Sequence, residues 1–110
     1  MHEKNSKFLR NTTRAPGKQA AALAWYSETD YEDLLEMMAD GEDLPNTYQE
    51  WLDLSLAIEK ELLKEGYPVT RIMIQPKQFA SWCRIHGLKP NAKARAEFAA
   101  KQAMRKARMN

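Results

Sequence analysis

Cysteine, histidine and glycine are scarce in this chain. A single cysteine, Cys83, in 110 residues excludes an internal disulfide and fits a reducing compartment. Two histidines, one cysteine and four glycines leave most enzyme chemistries without material, and there is no glycine-rich loop to cradle a phosphate. The expectation is therefore a protein that is not an enzyme and needs no cofactor. The longest unbroken apolar run, residues 20–26, has seven members, far short of the roughly 20 needed to span a bilayer. No charged-then-apolar leader opens the chain, so the expected location is cytoplasmic, with no membrane partner. Material for a core is plentiful: 44% of the residues are hydrophobic, among them six Met, three Trp, four Tyr and three Phe. At this length that suffices for one domain without disulfide or metal staples.

Charge is unevenly placed. The net charge of +2 hides three blocks. Residues 1–25 carry Lys4, Lys7, Arg10, Arg14 and Lys18 against Glu3 alone. Residues 26–65 carry thirteen acids against Lys60 and Lys64, and residues 66–110 carry ten Lys or Arg against Glu97. Local fields of this kind, rather than the total, steer partners. The acidic and basic blocks can also attract each other, within one chain or across a dimer.

Residues 1–17 are polar and basic without a period and read as a flexible tail, with Pro16-Gly17 as a breaker and a single helical domain over 18–110. Lys18 to Tyr26 is alanine-rich and is expected to form a short helix. A helix follows from about Thr29 to Asp40, opened by Thr29 and Glu32 or by Ser27 and Asp30, with Tyr31, Leu34, Leu35 and Met38 on one face. A second runs from about Tyr48 to Glu65, opened by the capping box Thr47/Glu50 and stopped at Gly66. Its apolar stripe of Tyr48, Trp51, Leu52, Ser55, Ile58 and Leu62 is wide enough to meet more than one neighbour. Joined by a short loop, these two helices are expected to form an acidic hairpin over 29–65.

Val69 to Ile74, β-branched and bounded by Pro68 and Pro76, is the one strand candidate. A lone strand makes no sheet, so it is expected either to pair antiparallel with its copy in a homodimer or to serve as an extended connector. A third helix starts with Pro76 and ends near His86, with Gly87-Leu88 as a Schellman stop. Asn91 caps the last helix, which runs to about Ala107. Ala92, Ala96, Ala99, Ala100, Ala103 and Ala107 lie in one stripe taken as its core face, leaving Phe98 among basic residues. The fold class is thus mainly α: an acidic helical hairpin, one short strand or extended segment, and two further helices.

Cys83 and His86, three apart on one helix, could offer two metal ligands, but zinc needs three or four and nothing specifies the rest. Cys83 instead reads as a small core residue and His86 as a helix-end residue favoured by the dipole. The acids of the hairpin read as a solvated face. Trp51 and Trp82 fall on the apolar faces of their helices and read as core anchors. The basic third carries the functional signal, since Lys and Arg on one helix neutralise phosphates. Packing the alanine stripe inward leaves Lys93, Arg95, Lys101, Arg105, Lys106 and Arg108 in water.

Two resemblances follow. The strand–helix–helix order of residues 69–107 resembles the ribbon-helix-helix class of DNA-binding proteins. That resemblance implies Thr70, Ile72 and Ile74 facing the core and Val69, Arg71 and Met73 facing DNA. Of those three only Arg71 can hydrogen-bond a base. A helix-turn-helix around Gly87 is a second option. Over about seventy per cent of the chain, the residues Trp25-Tyr26, Leu44-Pro45-Asn46-Thr47-Tyr48, Trp51-Leu52, Phe79, Trp82-Cys83 and Gly87-Leu88 resemble an uncharacterised family of small bacterial proteins. That kinship lends no activity, cofactor or site. The expected function is a small non-enzymatic regulatory protein contacting nucleic acid through Arg71 and the six cations of the last helix. The alternative is a protein–protein adaptor or inhibitor docking through the acidic hairpin.

Overall fold

The structure is a computed structural model and describes residues 19–109; the expected tail 1–17 lies outside the described residues. The described residues are mainly helical, with four α-helices and a two-stranded parallel sheet among them. In chain order these are β1 (Ala21–Trp25), α1 (Tyr31–Met37), a 3₁₀ turn (Gly41–Asp43), α2 (Tyr48–Lys64), β2 (Val69–Met73), α3 (Pro76–Ile85) and α4 (Ala92–Met109). No helix among the described residues is long and apolar enough to cross a membrane.

Local chemistry sets most helix ends. Thr47 Oγ1 accepts from the Glu50 amide at 3.1 Å, and the Thr47 amide donates to the Glu50 carboxylate at 3.4 Å, closing the capping box of α2. Asn91 Oδ1 accepts from the Ala94 amide at 3.0 Å at the head of α4, and Pro76 opens α3. Gly66 and Gly87 have φ of 94° and 65°, a region that other residues enter at a cost. Around each, two amides fold back in a Schellman pattern: Tyr67 to Leu62 and Gly66 to Leu63, then Leu88 to Cys83 and Gly87 to Arg84.

The largest departure from expectation is β1. The alanine-rich stretch expected to be helical is a strand, and it pairs in parallel with β2 from Ala21↔Val69 to Trp25↔Met73. Helix propensity is a weak prior that tertiary context overrides. Here β2 supplies a backbone partner, and small side chains on β1 let α4 lie against the sheet. The stretch from Val69 therefore finds a partner within its own chain, which removes the reason for pairing it with a second copy. The ribbon-helix-helix arrangement, an antiparallel ribbon shared between two chains, is not what forms here.

Helix α1 is also shorter than the expected 29–40. After Met37 the chain turns extended at Met38, and the Ala39 amide donates to Pro90 O at 2.8 Å. That bond ties the end of α1 to the entry of α4. The rings shared by α1 and α2 meet at the first turns, Tyr31 on Tyr48 at 5.8 Å and on Trp51 at 6.1 Å. An antiparallel hairpin would instead bring the end of one helix against the start of the next. The acidic block is thus two helices splayed from a shared aromatic joint.

The core has two aromatic centres. Trp25, Tyr26, Tyr31 and Trp51 pack at one end, and Phe79, Trp82 and Phe98 at the other. Leu34, Met38, Ile72, Ile74, Cys83, Ala94 and Ala99 are buried with them. Trp51 is buried as expected, whereas Trp82 is half-buried, in a T-shaped contact with Phe98 and a tilted one with His86.

Candidate functional site

The helix proposed as a basic face divides its cations unequally. On α4 the buried residues are Ala94, Arg95, Phe98 and Ala99, with Gln102 and Ala103 half-buried. This is the i, i+3, i+4 face centred on Phe98. Ala92, Ala96, Ala100 and Ala107 of the expected core stripe are exposed. The face is rotated from that stripe because Phe98 buries far more apolar area than any one alanine, and Ala94 and Ala99 go in beside it.

Arg95 therefore does not stand in water, as its place off the alanine stripe implied. It enters the core and forms a two-pronged ion pair with Asp40, Nη1 to Oδ1 at 2.8 Å and Nη2 to Oδ2 at 2.9 Å, while Nη1 also approaches the Met38 sulfur at 3.3 Å. Burial works against the Arg95 charge, but the bonds from Asp40 and the nearby Tyr26 outweigh it and leave the guanidinium more firmly protonated. The same hydrogen bonds hold the Asp40 carboxyl below its usual range. Beside them Tyr26 is pushed up to about 12, first by burial. Such an Arg is a strut between the end of α1 and α4 and has no freedom to reach a phosphate.

Arg71, the residue expected to read a base, is also engaged. Its guanidinium forks onto Glu59 of α2, with both bonds at 2.7 Å, and lies 4.0 Å over the Trp25 ring. That bridge holds Glu59 below its usual range and raises Arg71. The two ion pairs each join the acidic block to the basic one, so part of the charge asymmetry is answered within the chain.

Five of the expected cations remain open. Lys93, Lys101, Arg105, Lys106 and Arg108 are exposed, and no ion pair among the described residues engages them. Lys101, Arg105 and Arg108 stand at i, i+4 and i+7, so they share one side of the last turns of α4. Asp33 and Glu36 of α1 lie instead by Pro76 and Lys77 of α3. They do not crowd that row.

A second feature was not legible. Beside the open part of α4 runs an apolar groove of about 670 Å³, walled by residues 20–23, Leu62 of α2, and Ala100, Ala103, Met104 and Ala107 of α4. Three alanines of the stripe that looked like core, Ala100, Ala103 and Ala107, line this groove. On α2, Leu54, Leu56, Ile58 and Leu63 are exposed, between 41% and 58%. Their excess over the buried set of α2, Trp51 and Leu62, was the signal available in the wide apolar stripe.

Cys83 is buried, and burial raises its thiol pKa, which disfavours a reactive thiolate. His86 is exposed, its Nδ1 2.9 Å from Trp82 O and its ring on Trp82. Among the described residues no three of His, Cys, Asp and Glu come together to hold a metal ion. Elemental analysis of the purified protein should find zinc well below one per chain; a one-to-one signal lost in Cys83→Ala would reverse this reading. No protein family, curated protein or solved structure matches the chain.

Proposed function

We propose that this protein is a non-enzymatic regulatory module that contacts nucleic acid through the outer side of α4. The observation that carries the reading is the row Lys101, Arg105 and Arg108, exposed and without a counter-ion among the described residues. At about 1.5 Å rise per residue the row is about 10 Å long, which allows it to follow successive phosphates of one strand. Lys93 and Lys106 extend the field. Arg71 and Arg95 drop out of the interface, because each already holds a carboxylate. The row is spaced to follow phosphates, so the main contact is to the backbone and its sequence preference weak.

Binding of this kind is steeply salt-dependent, with a log–log slope of about −0.9 per phosphate neutralised on duplex DNA. Reversing Lys101 and Arg105 to Glu should weaken duplex binding and flatten that slope by about two phosphates' worth. Stability should move by only about 0.5 kcal/mol, as both side chains stand in water. Absence of binding to duplex and single strands at low salt would sink the reading. The adaptor reading would then lead, favoured by the exposed aliphatic residues of α2 within the acidic block.

A further inference from the structure

The apolar groove beside α4 needs an occupant, and the surface best fitted to it is on the same molecule. Leu54, Ile58 and Leu62 of α2 stand four apart and form one row. Leu62 is buried and lines the groove. Ile58 and Leu54 carry the row outward, 54% and 58% exposed. The helical repeat sets Glu50, Glu61 and Glu65 beside that row. On α4 the same repeat sets Lys106 on one side of the groove-lining residues, and Lys101 and Arg108 on the other. An acidic-edged ridge and a basic-edged groove therefore adjoin each other on one face.

We infer that this face closes on a second copy of the chain about a two-fold axis, the Leu54–Ile58 ridge of each protomer seated in the α4 groove of its partner. A two-fold contact is self-complementary, so each ridge meets a groove twice over and each acidic edge meets a basic one. Alternative occupants fit less well. Gln19 lines the groove, but residues 1–18 carry five cations against Glu3 and would set like charge against α4. A groove left open would expose alanine and methionine surface continuous with leucine and isoleucine, the kind of patch that drives association. The inference shares Lys101 and Arg108 with the nucleic-acid reading, but its test reads oligomeric state and not phosphate binding, so either can fail without the other.

Light scattering and sedimentation at tens of micromolar should give twice the 12.7 kDa chain mass. Ile58→Glu and Met104→Lys, both at exposed positions, should each give folded monomers with unchanged circular dichroism. Mixing the two variants should restore a dimer. In that mixed pair one contact joins Glu to Lys and the other keeps Ile against Met, whereas each variant alone carries two mismatches. A monomeric wild type overturns the inference, and groove amides protected from exchange in that monomer would assign the groove to residues 1–18. A dimer untouched by either substitution, or one lost in both and not recovered on mixing, overturns the seating of ridge in groove.

Discussion

Asp40→Ala should lower the stability of the fold by about 3–5 kcal/mol, because it leaves the Arg95 guanidinium charged and unpaired in the core. The two partners are not equivalent. The Arg95 side chain is 9% exposed and the Asp40 side chain 22%, so the carboxylate can regain water when its partner goes, whereas the guanidinium cannot. Arg95→Met, which keeps much of the stem's volume, should therefore cost less than Asp40→Ala, and urea denaturation of the two variants tests the order. Equal losses would mean that the pair stabilises through its mutual attraction rather than by rescuing a buried charge.

The pair also has a pH signature. Asp40 is held below its ordinary value of 3.8 in the folded state by the hydrogen bonds from Arg95. Its contribution is therefore complete above the ordinary value and is lost as pH falls through it towards the folded one. Asp40→Asn should flatten that acid limb. Tyr26 works from the other side. Its pKa is raised from 10.0 to about 12, so stability should decline as pH rises across that interval, and Tyr26→Phe should make the decline shallower, leaving the part due to Tyr31 and Cys83, which are also raised.

Phe79→Ala should be comparably damaging, about 3–5 kcal/mol, with a fall in melting temperature of more than about 10 °C. Phe79 is fully buried, in a T-shaped contact with Phe98 at 5.5 Å and stacked on Trp82 at 6.2 Å, so truncation leaves a cavity between packed rings. Trp51→Ala belongs in the same range, since Trp51 touches Trp25, Tyr26, Tyr31 and Tyr48. Trp82→Ala should cost less than either, because the half-buried ring already sees solvent. Equal losses at Trp82 and Phe79 would show that the second aromatic centre is sealed more tightly than its exposure indicates.

What could be read from the residues in order was whatever they settle among near neighbours. Thr47 with Glu50, Asn91 with Ala94, and the glycine stops at 66 and 87 need only a few residues of context, and each end falls where that chemistry places it. Helix α1 ends early because a bond reaches it from Pro90, and nothing near Met37 announces that. β1 was read as helix because alanine and leucine prefer it; its strand form is imposed by a partner far along the chain. The candidate site divided in the same way. That α4 is basic was plain. That Arg95 leaves the surface depends on Asp40, fifty-five positions earlier. Phe98 was the local clue, since the largest apolar residue of a helix sets its buried face more reliably than the commonest one.

The parallel strand pair has a consequence for how the molecule comes into being. Every rung joins residues 48 positions apart, so closing the sheet means first ordering or looping out everything between. On a ribosome the first strand emerges well before its mate has been made. During that interval its alanine-rich backbone has no ladder to join, and the transient form its composition favours is a helical turn. A nascent chain ending before Val69 should thus hold α2 without the strand that fixes Trp25 beside Trp51, and should be a ready substrate for chaperones. The last forty residues do more than add a basic helix: their arrival converts the beginning of the chain.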